Sequence, residues 1–488
     1  MERKFSRFFY TNPAGVGVYW LEITKPNRLE NNLSAMKTAI IRIASLVLCL
    51  GLAAGCAKKK STNWESVKNP EVAAQLKSFA AEKEAQESKL IEADEKDFAE
   101  NYARSGAKIV RPDCQPFFAA AAKGDWQTVS NLWSEMEKHT LGLSKATNGY
   151  PHGMWLQPVR ETFGAVEAFA VGDEKYSKAF GDDVIQSIPH GSIYFGGTDP
   201  GRFIITAMCK SQANGDPFFT LTQNALADRT YLDYLHSMYG DKIYIPTQED
   251  SQKSFQDYVA DVQLRLKDNK LKPGEDVKVT AGRVQVSGVV AVMEINGLLV
   301  KTIFDKTPDR GFYIEESFPL DWMYPNLEPH GLIFKINRQP LPELSGEIIQ
   351  RDHDYWTKYI QSMIGDWLND DTSVEAVTTF SEKVFLRHDF SGFTGDPQFV
   401  QNEYSCKMFS KLRSSIAGLY VWRMNQAATA DEKERMAREA DFACRQALAL
   451  CPYLPEAIKN YADFLKSQNR DADAALVSEM AKQFPKQK

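Results

Sequence analysis

Residues 188–206 read IPHGSIYFGGTDPGRFIIT, and the fold turns on how that stretch is taken. A short apolar run, Ser192-Ile193-Tyr194-Phe195, stops at Gly196 and Gly197. Thr198, Asp199, Pro200 and Gly201 follow, and then apolar residues return at helical spacing. Paired glycines permit positive φ and close backbone approach. Aspartate followed by proline fits a helix cap with proline in the first turn. The stretch reads as a strand turning sharply into a helix, whose first amides and positive dipole end would face whatever docks there.

Similar strand-like runs are FFTLT (218–222), KIYIP (242–246), GFYIEE (311–316) and GLIFKI (331–336). Helical patterns lie between them. Asp228 precedes RTYLDYLHSMY, Thr247 and Asp250 form a loose capping box, and Val289 to Phe304 is a long apolar helix. This alternation predicts an α/β domain over 188–345, with a central, mostly parallel sheet and helices on both faces. In such sheets ligands bind at the carboxyl ends of the strands, and TQNALAD (222–228) would lie beside the opening stretch. The candidate ligand-binding residues are therefore Gly196, Gly197, Thr198, Asp199, Arg202, Asn224 and Asp228. Turn and capping chemistry alone would account for the same residues. An Asp199 that caps the helix would occupy its amides, so a hydroxyl-rich sugar or a cation suits that mouth better than a bare phosphate.

The flanks read as helical. Phe117 to Ala122 is a helix, Lys123-Gly124-Asp125 a break, and Trp126, Val129, Leu132 and Trp133 restart the spacing. A second helical stretch runs from Met154 to Phe180, so 111–187 forms a helical segment. Residues 71–105 have few apolar positions and predict a solvated, charged helix behind a polar tether, together spanning 56–110. Residues 346–430 return to helix. In the tail, Ala440, Cys444, Ala447 and Pro452 recur as Ala474, Ser478, Ala481 and Pro485, at a period of 34 residues. Over 431–488 this resembles the tetratricopeptide repeat, with Cys444 and Ser478 standing where an aromatic is usual. Two repeats are too few to stand alone, so they are expected to dock on the preceding helices and to offer a surface to a protein partner. An ordinary C-terminal helical bundle is the alternative.

From Met36 the chain reads MKTAIIRIASLVLCLGLAAGCAKKK. A basic start, a short apolar core and small residues make 36–55 a secretory signal, too short and wrongly flanked for a membrane span. Its end at Cys56 resembles the lipobox of bacterial lipoproteins, with Ala53 where leucine is usual. The resemblance implies cleavage before Cys56 and its lipidation, and Ala57 in the next place implies the outer membrane. A signal normally opens a chain, so Met36 is the expected start and 1–35 an upstream mis-called segment. The expected location is the cell envelope, anchored by lipid and facing the periplasm.

Composition narrows the function further. At 43% hydrophobic and 25% charged the chain is globular. Residues 1–55 carry seven Lys/Arg against three Asp/Glu, so the rest of a chain of net charge -6 holds -10. A body of that sign is a poor partner for nucleic acid. Five cysteines remain past Cys56, at scattered spacing, which predicts buried thiols in place of a disulfide framework. The sequence lacks Walker A, G-x-G-x-x-G, H-E-x-x-H, C-x-x-C and G-x-S-x-G patterns. No metal, cofactor or catalytic residue is assigned. In RDHDYW (351–356) the two aspartates fall on different helix faces and His353 reads as a surface or core residue. Glu315, Glu316 and Asp321 would offer paired carboxylates, or only a structured loop.

The segments GSIYFGGTDPGRFIITAM, LTQNALADRTYLDYL and IFDKTPDRGFYIEESFPLDWMYPNLEPHGLIFKINRQPL resemble the soluble extracytoplasmic region of a family of multi-spanning bacterial membrane proteins. Those are similar to protein O-mannosyltransferases and often end in tetratricopeptide repeats. The resemblance covers roughly Phe117 to Phe484. Catalysis in such transferases belongs to the membrane-embedded part, so no catalytic residue carries over. It implies a detached module of a glycan-handling system, acting as a non-catalytic binding or scaffold protein with a glycan, glycoprotein or transferase as ligand. A periplasmic glycan-active enzyme and a purely structural lipoprotein are the alternatives.

Overall fold

The computed structural model describes residues 67–102, 112–141, 153–197, 199–272, 274–280, 283–315 and 321–485. The signal, the lipobox, Cys56 and the segment 1–35 lie outside these residues. Among the described residues no helix is long and apolar enough to cross a membrane.

The strand expected at 192–195 is β1 (Ile193–Gly196), and the one at 218–222 is β2 (Phe219–Thr222). A separate antiparallel hairpin follows, β3 (Asp276–Thr280) and β4 (Arg283–Ser287). Then come β5 (Phe312–Ile314), β6 (Leu327–His330) and β7 (Ile333–Ile336). The main sheet is ordered β2-β1-β5-β7-β6. β1 pairs parallel with both β2 and β5, whereas β7 runs antiparallel to β5 and to β6. The sheet is thus mixed, which corrects the expectation of a mostly parallel one. The reason is local: β6 and β7 are joined through Gly331 at φ +62°, and so short a connection can only return antiparallel. Every residue of β1, β2 and β5 is buried, so both faces of the parallel part are covered.

KIYIP is not a strand. Ile243 and Ile245 are buried, as alternation requires, but their backbone pairs with no strand of the sheet. Burial alone satisfies the pattern that reads as β.

The charged N-terminal helix is likewise not solvated. Helix Pro70–Tyr102 buries Val72, Leu76, Phe79, Ala80, Lys83, Glu87 and Leu90 along one stripe. Two of those seven positions are charged, which hides the stripe from a hydrophobic pattern. Asn69 caps its first turn, accepting from the amides of Glu71 and Val72. The carboxylate of Glu174 in turn takes the amides of Lys68 and Asn69 at 2.7 and 2.6 Å.

The hairpin after it, Gln115–Ala121 and Trp126–Leu141, has Asp125 as cap, as expected. The stretch from Met154 to Phe180 is two helices, Leu156–Ala170 and Glu174–Ser187, the second capped by Asp173. Residues 346–485 hold helices joined by loops, the longest at 365–373 and 387–396. Asp352, on helix Gly346–Ile364, is bound by Arg413 Nη1 at 2.7 Å and by the Tyr420 hydroxyl at 2.8 Å. Arg413 and Tyr420 lie on helix Glu403–Gln426, and Arg413 Nε also reaches Gln446 on helix Ala430–Leu450 at 2.7 Å. The tail helices Pro455–Ser467 and Asp471–Gln483 continue this stack. Ala440 and Ala474, one period apart, are both buried on the second helix of their pair. The tail therefore docks on the helices before it.

Candidate functional site

Three parallel strands end side by side, and their carboxyl ends build the site. β1 runs into Gly197, β2 into Asn224 and β5 into Glu315. The chain leaves β1 toward β2 on one side, then returns to β5 on the other. The gap between β1 and β5 is therefore the point where strand order reverses, the usual ligand position in open α/β sheets. Glu315, fully buried, accepts from the Gly197 amide at 2.8 Å across that gap. Asn224 Nδ2 donates to the Gly197 carbonyl at 2.8 Å, tying β2 to the same turn.

Glycine makes this closeness feasible. A Cβ on Gly196 would lie 2.7 Å from the Gly201 carbonyl oxygen and 3.0 Å from Arg202 Cα. One on Gly201 would lie 1.9 Å from Glu315 Oε2, well inside contact distance.

Asp199 departs from expectation. Its backbone is already helical, at φ -61° and ψ -44°, and its side chain caps nothing. The first turn, Pro200–Ile204, is π-helical and is followed by only four α-helical residues, Ile205–Met208. The cap reading of Asp199 is overturned, and with it the objection that its carboxylate already occupies the amides. Asp228 is the true cap of the pair: it opens helix Arg229–Tyr239 and accepts from Thr230 N at 2.9 Å. Thr198 lies outside the described residues.

Burial raises the Asp199 carboxyl above the usual range, partly offset by Arg202 and Lys411. Glu167, from helix Leu156–Ala170, is pushed up to about 7, first by burial and then by the Asp199 carboxylate. Burial likewise raises Asp228, partly offset by Arg160. Tyr404, at the start of helix Glu403–Gln426, is driven well above its ordinary range by burial and by Asp199, Glu167 and Glu315. It therefore lies near all three carboxyls.

Arg202 is 4% exposed and stacks 4.6 Å from the centre of the Phe203 ring. Its Nε and Nη2 find no hydrogen-bond partner, and neither does Asn224 Oδ1. Behind Asn224 stands Asn296, which no pattern singled out. It is fully buried in the apolar helix Gly288–Lys306, donates to the Asn224 carbonyl at 3.1 Å and accepts from Ala227 N at 2.7 Å. A lone asparagine in such a helix was the available signal. Nothing in the sequence marked Glu167 or Tyr404, which join the site only through tertiary packing.

The other expected groups lie elsewhere. Asp321 is solvent-facing, 3.8 Å from Lys272, so it forms no acid pair with buried Glu315; Glu316 lies outside the described residues. His353 is stacked on Phe442 and bound to Glu439 at 3.2 Å. Among the described residues no cluster of side chains suits a metal ion. A shallow, open concavity on helix Gly346–Ile364, lined by Glu347, Gln350, Arg351, Asp354, Tyr355 and Lys358, lies apart from this chemistry. No protein-family model matches the chain, and no curated protein or solved structure shows significant similarity to it.

Proposed function

We propose that this chain is a lipid-anchored protein of the bacterial envelope that binds a hydroxyl-rich glycan in the crevice at the ends of β1, β2 and β5. One observation carries the reading: Asp199 caps no helix, and it lies close enough to Glu167 to raise that carboxyl at the strand ends. Sugar hydroxyls both donate and accept, and the Glu167 carboxyl, raised to about 7, offers both roles near neutral pH. The C-terminal helix pairs, taken as tetratricopeptide-like, would serve a protein partner, and Cys56 would carry the anchor.

The test is a glycan array probed with the native protein and with Asp199→Ala. Binding falls in the variant while the melting temperature stays nearly unchanged, because no capping bond is lost. Undiminished binding by Asp199→Ala rejects the crevice.

A second reading is acid–base catalysis on a glycosidic bond. It is favoured by Glu167, whose pKa of about 7 suits a general acid, with Asp199 as the companion carboxylate. Release of reducing ends from a glycan, abolished by Glu167→Gln, would select it. Binding without turnover would reject it.

A further inference from the structure

The crevice contains an unanswered cation. Arg202 is an always-charged group taken almost wholly out of water, and such groups are ordinarily paired. Here Nε and Nη2 have no partner. These two atoms form the side-on edge of the guanidinium, whose parallel N–H bonds match the two oxygens of a carboxylate. The guanidinium lies over the Phe203 ring, 4.6 Å from its centre. Asn224, tethered to Gly197 through Nδ2, leaves Oδ1 as an unused acceptor at the same strand ends. Asp199 feels the charge of Arg202 but makes no hydrogen bond to it.

We infer that the ligand enters carboxylate first, bidentate on the Nε–Nη2 edge of Arg202, so that the glycans bound here are acidic sugars. This rests on the glycan reading above and narrows it. Asp199 lies close enough to Arg202 to feel its charge, so a doubly charged phosphate meets more repulsion than a singly charged carboxylate. The hydroxyls beside a uronate carboxyl would meet the acceptor at Asn224. Neither nitrogen is open to solvent, so the ligand reaches them by displacing the Pro200–Ile204 turn. That turn is π-helical and has no side-chain cap to hold it.

Calorimetric titration of the whole chain tests this with three probes: a galacturonate oligomer, a neutral galactose oligomer of equal length, and inorganic phosphate. The acidic oligomer binds about tenfold or more tighter than the neutral one, and phosphate binds least. Arg202→Lys keeps the charge but not the fork, and loses that preference. Arg202→Met loses it too, yet melts no lower than the native protein, because an unpartnered buried cation has been removed. Equal binding of acidic and neutral oligomers overturns the inference and leaves the glycan reading standing. Binding of neither oligomer sinks both. A preference for phosphate, or an Arg202→Lys variant that keeps the uronate preference, also overturns it. Should Arg202→Met fail to fold, the lysine variant decides.

Discussion

Lys83 and Glu161 meet at 2.5 Å, and neither side chain is open to solvent. The pair joins the N-terminal helix to helix Leu156–Ala170, with the Tyr234 hydroxyl 2.9 Å from the same Glu161 oxygen and Gln212 on the lysine. Breaking such a pair strands a charge in the interior, which costs about 3–5 kcal/mol. Glu161→Ala and Lys83→Met should each lower the denaturation free energy by that order. The double variant should lose less than the sum of the two. Strict additivity in urea titrations would show the two groups to be uncoupled.

Glu167 makes stability depend on pH. Its folded pKa, about 7, lies above the ordinary 4.5, so the native state holds the proton more tightly. The stabilisation is complete below the unfolded value and is lost as pH rises through the folded one. Stability should fall between pH 5 and 8, by at most about 3 kcal/mol from this group. Asp199, raised in the same direction, adds to the trend. Glu167→Gln should flatten the profile across pH 5–7, and a profile identical to the parent's would remove Glu167 as its source.

Gly201 is fixed by Glu315. With a methyl group 1.9 Å from Oε2, Gly201→Ala must push the carboxylate off the Gly197 amide or shift the turn. Overpacking of this kind costs about 1–3 kcal/mol. Glu315→Ala should recover part of that loss when combined with it. A Gly201→Ala protein as stable as its parent would mean that the turn is slack.

The five described cysteines are buried, and no disulfide joins them. Burial pushes the Cys209 and Cys451 thiols up to about 12, and raises Cys406 and Cys444 as well. Reactivity needs both thiolate and access, and here both are withheld. Alkylation at neutral pH should leave Cys114, Cys209, Cys406, Cys444 and Cys451 untouched in the native protein and label all five in denaturant. Peptide mass mapping that finds any of the five modified before unfolding contradicts the packing.

Much of the α/β domain was legible because its signals are local. An apolar run stopped by two glycines, Asp228 before its helix, and the Thr247–Asp250 box each act within a few residues. The pattern also brought Asn224 to the Gly196–Gly197 turn, since strand ends in one sheet must neighbour each other. Strand direction was less legible: Leu327–His330 was not recognised as a strand, so the sheet looked parallel where a hairpin makes it mixed. The alternating valines of 276–287 were a readable hairpin signal that went unread. The burial of helix Pro70–Tyr102 depends on Lys83 finding Glu161, a partner 78 residues away that no local pattern shows. Asp199 escaped for the opposite reason: its local signal was strong and wrong, because the chain is already helical before Pro200.

The clasp of Glu174 on the amides of Lys68 and Asn69 fixes the start of the N-terminal helix against helix Glu174–Ser187. Were Cys56 acylated, chain geometry alone would keep Val67 within about 40 Å of the anchor. The strand-end site would then be confined to a thin shell above the leaflet, and encounter with any ligand there would become a two-dimensional search. Inserting residues before Val67, with the clasp intact, would widen that shell without altering a single contact at the site.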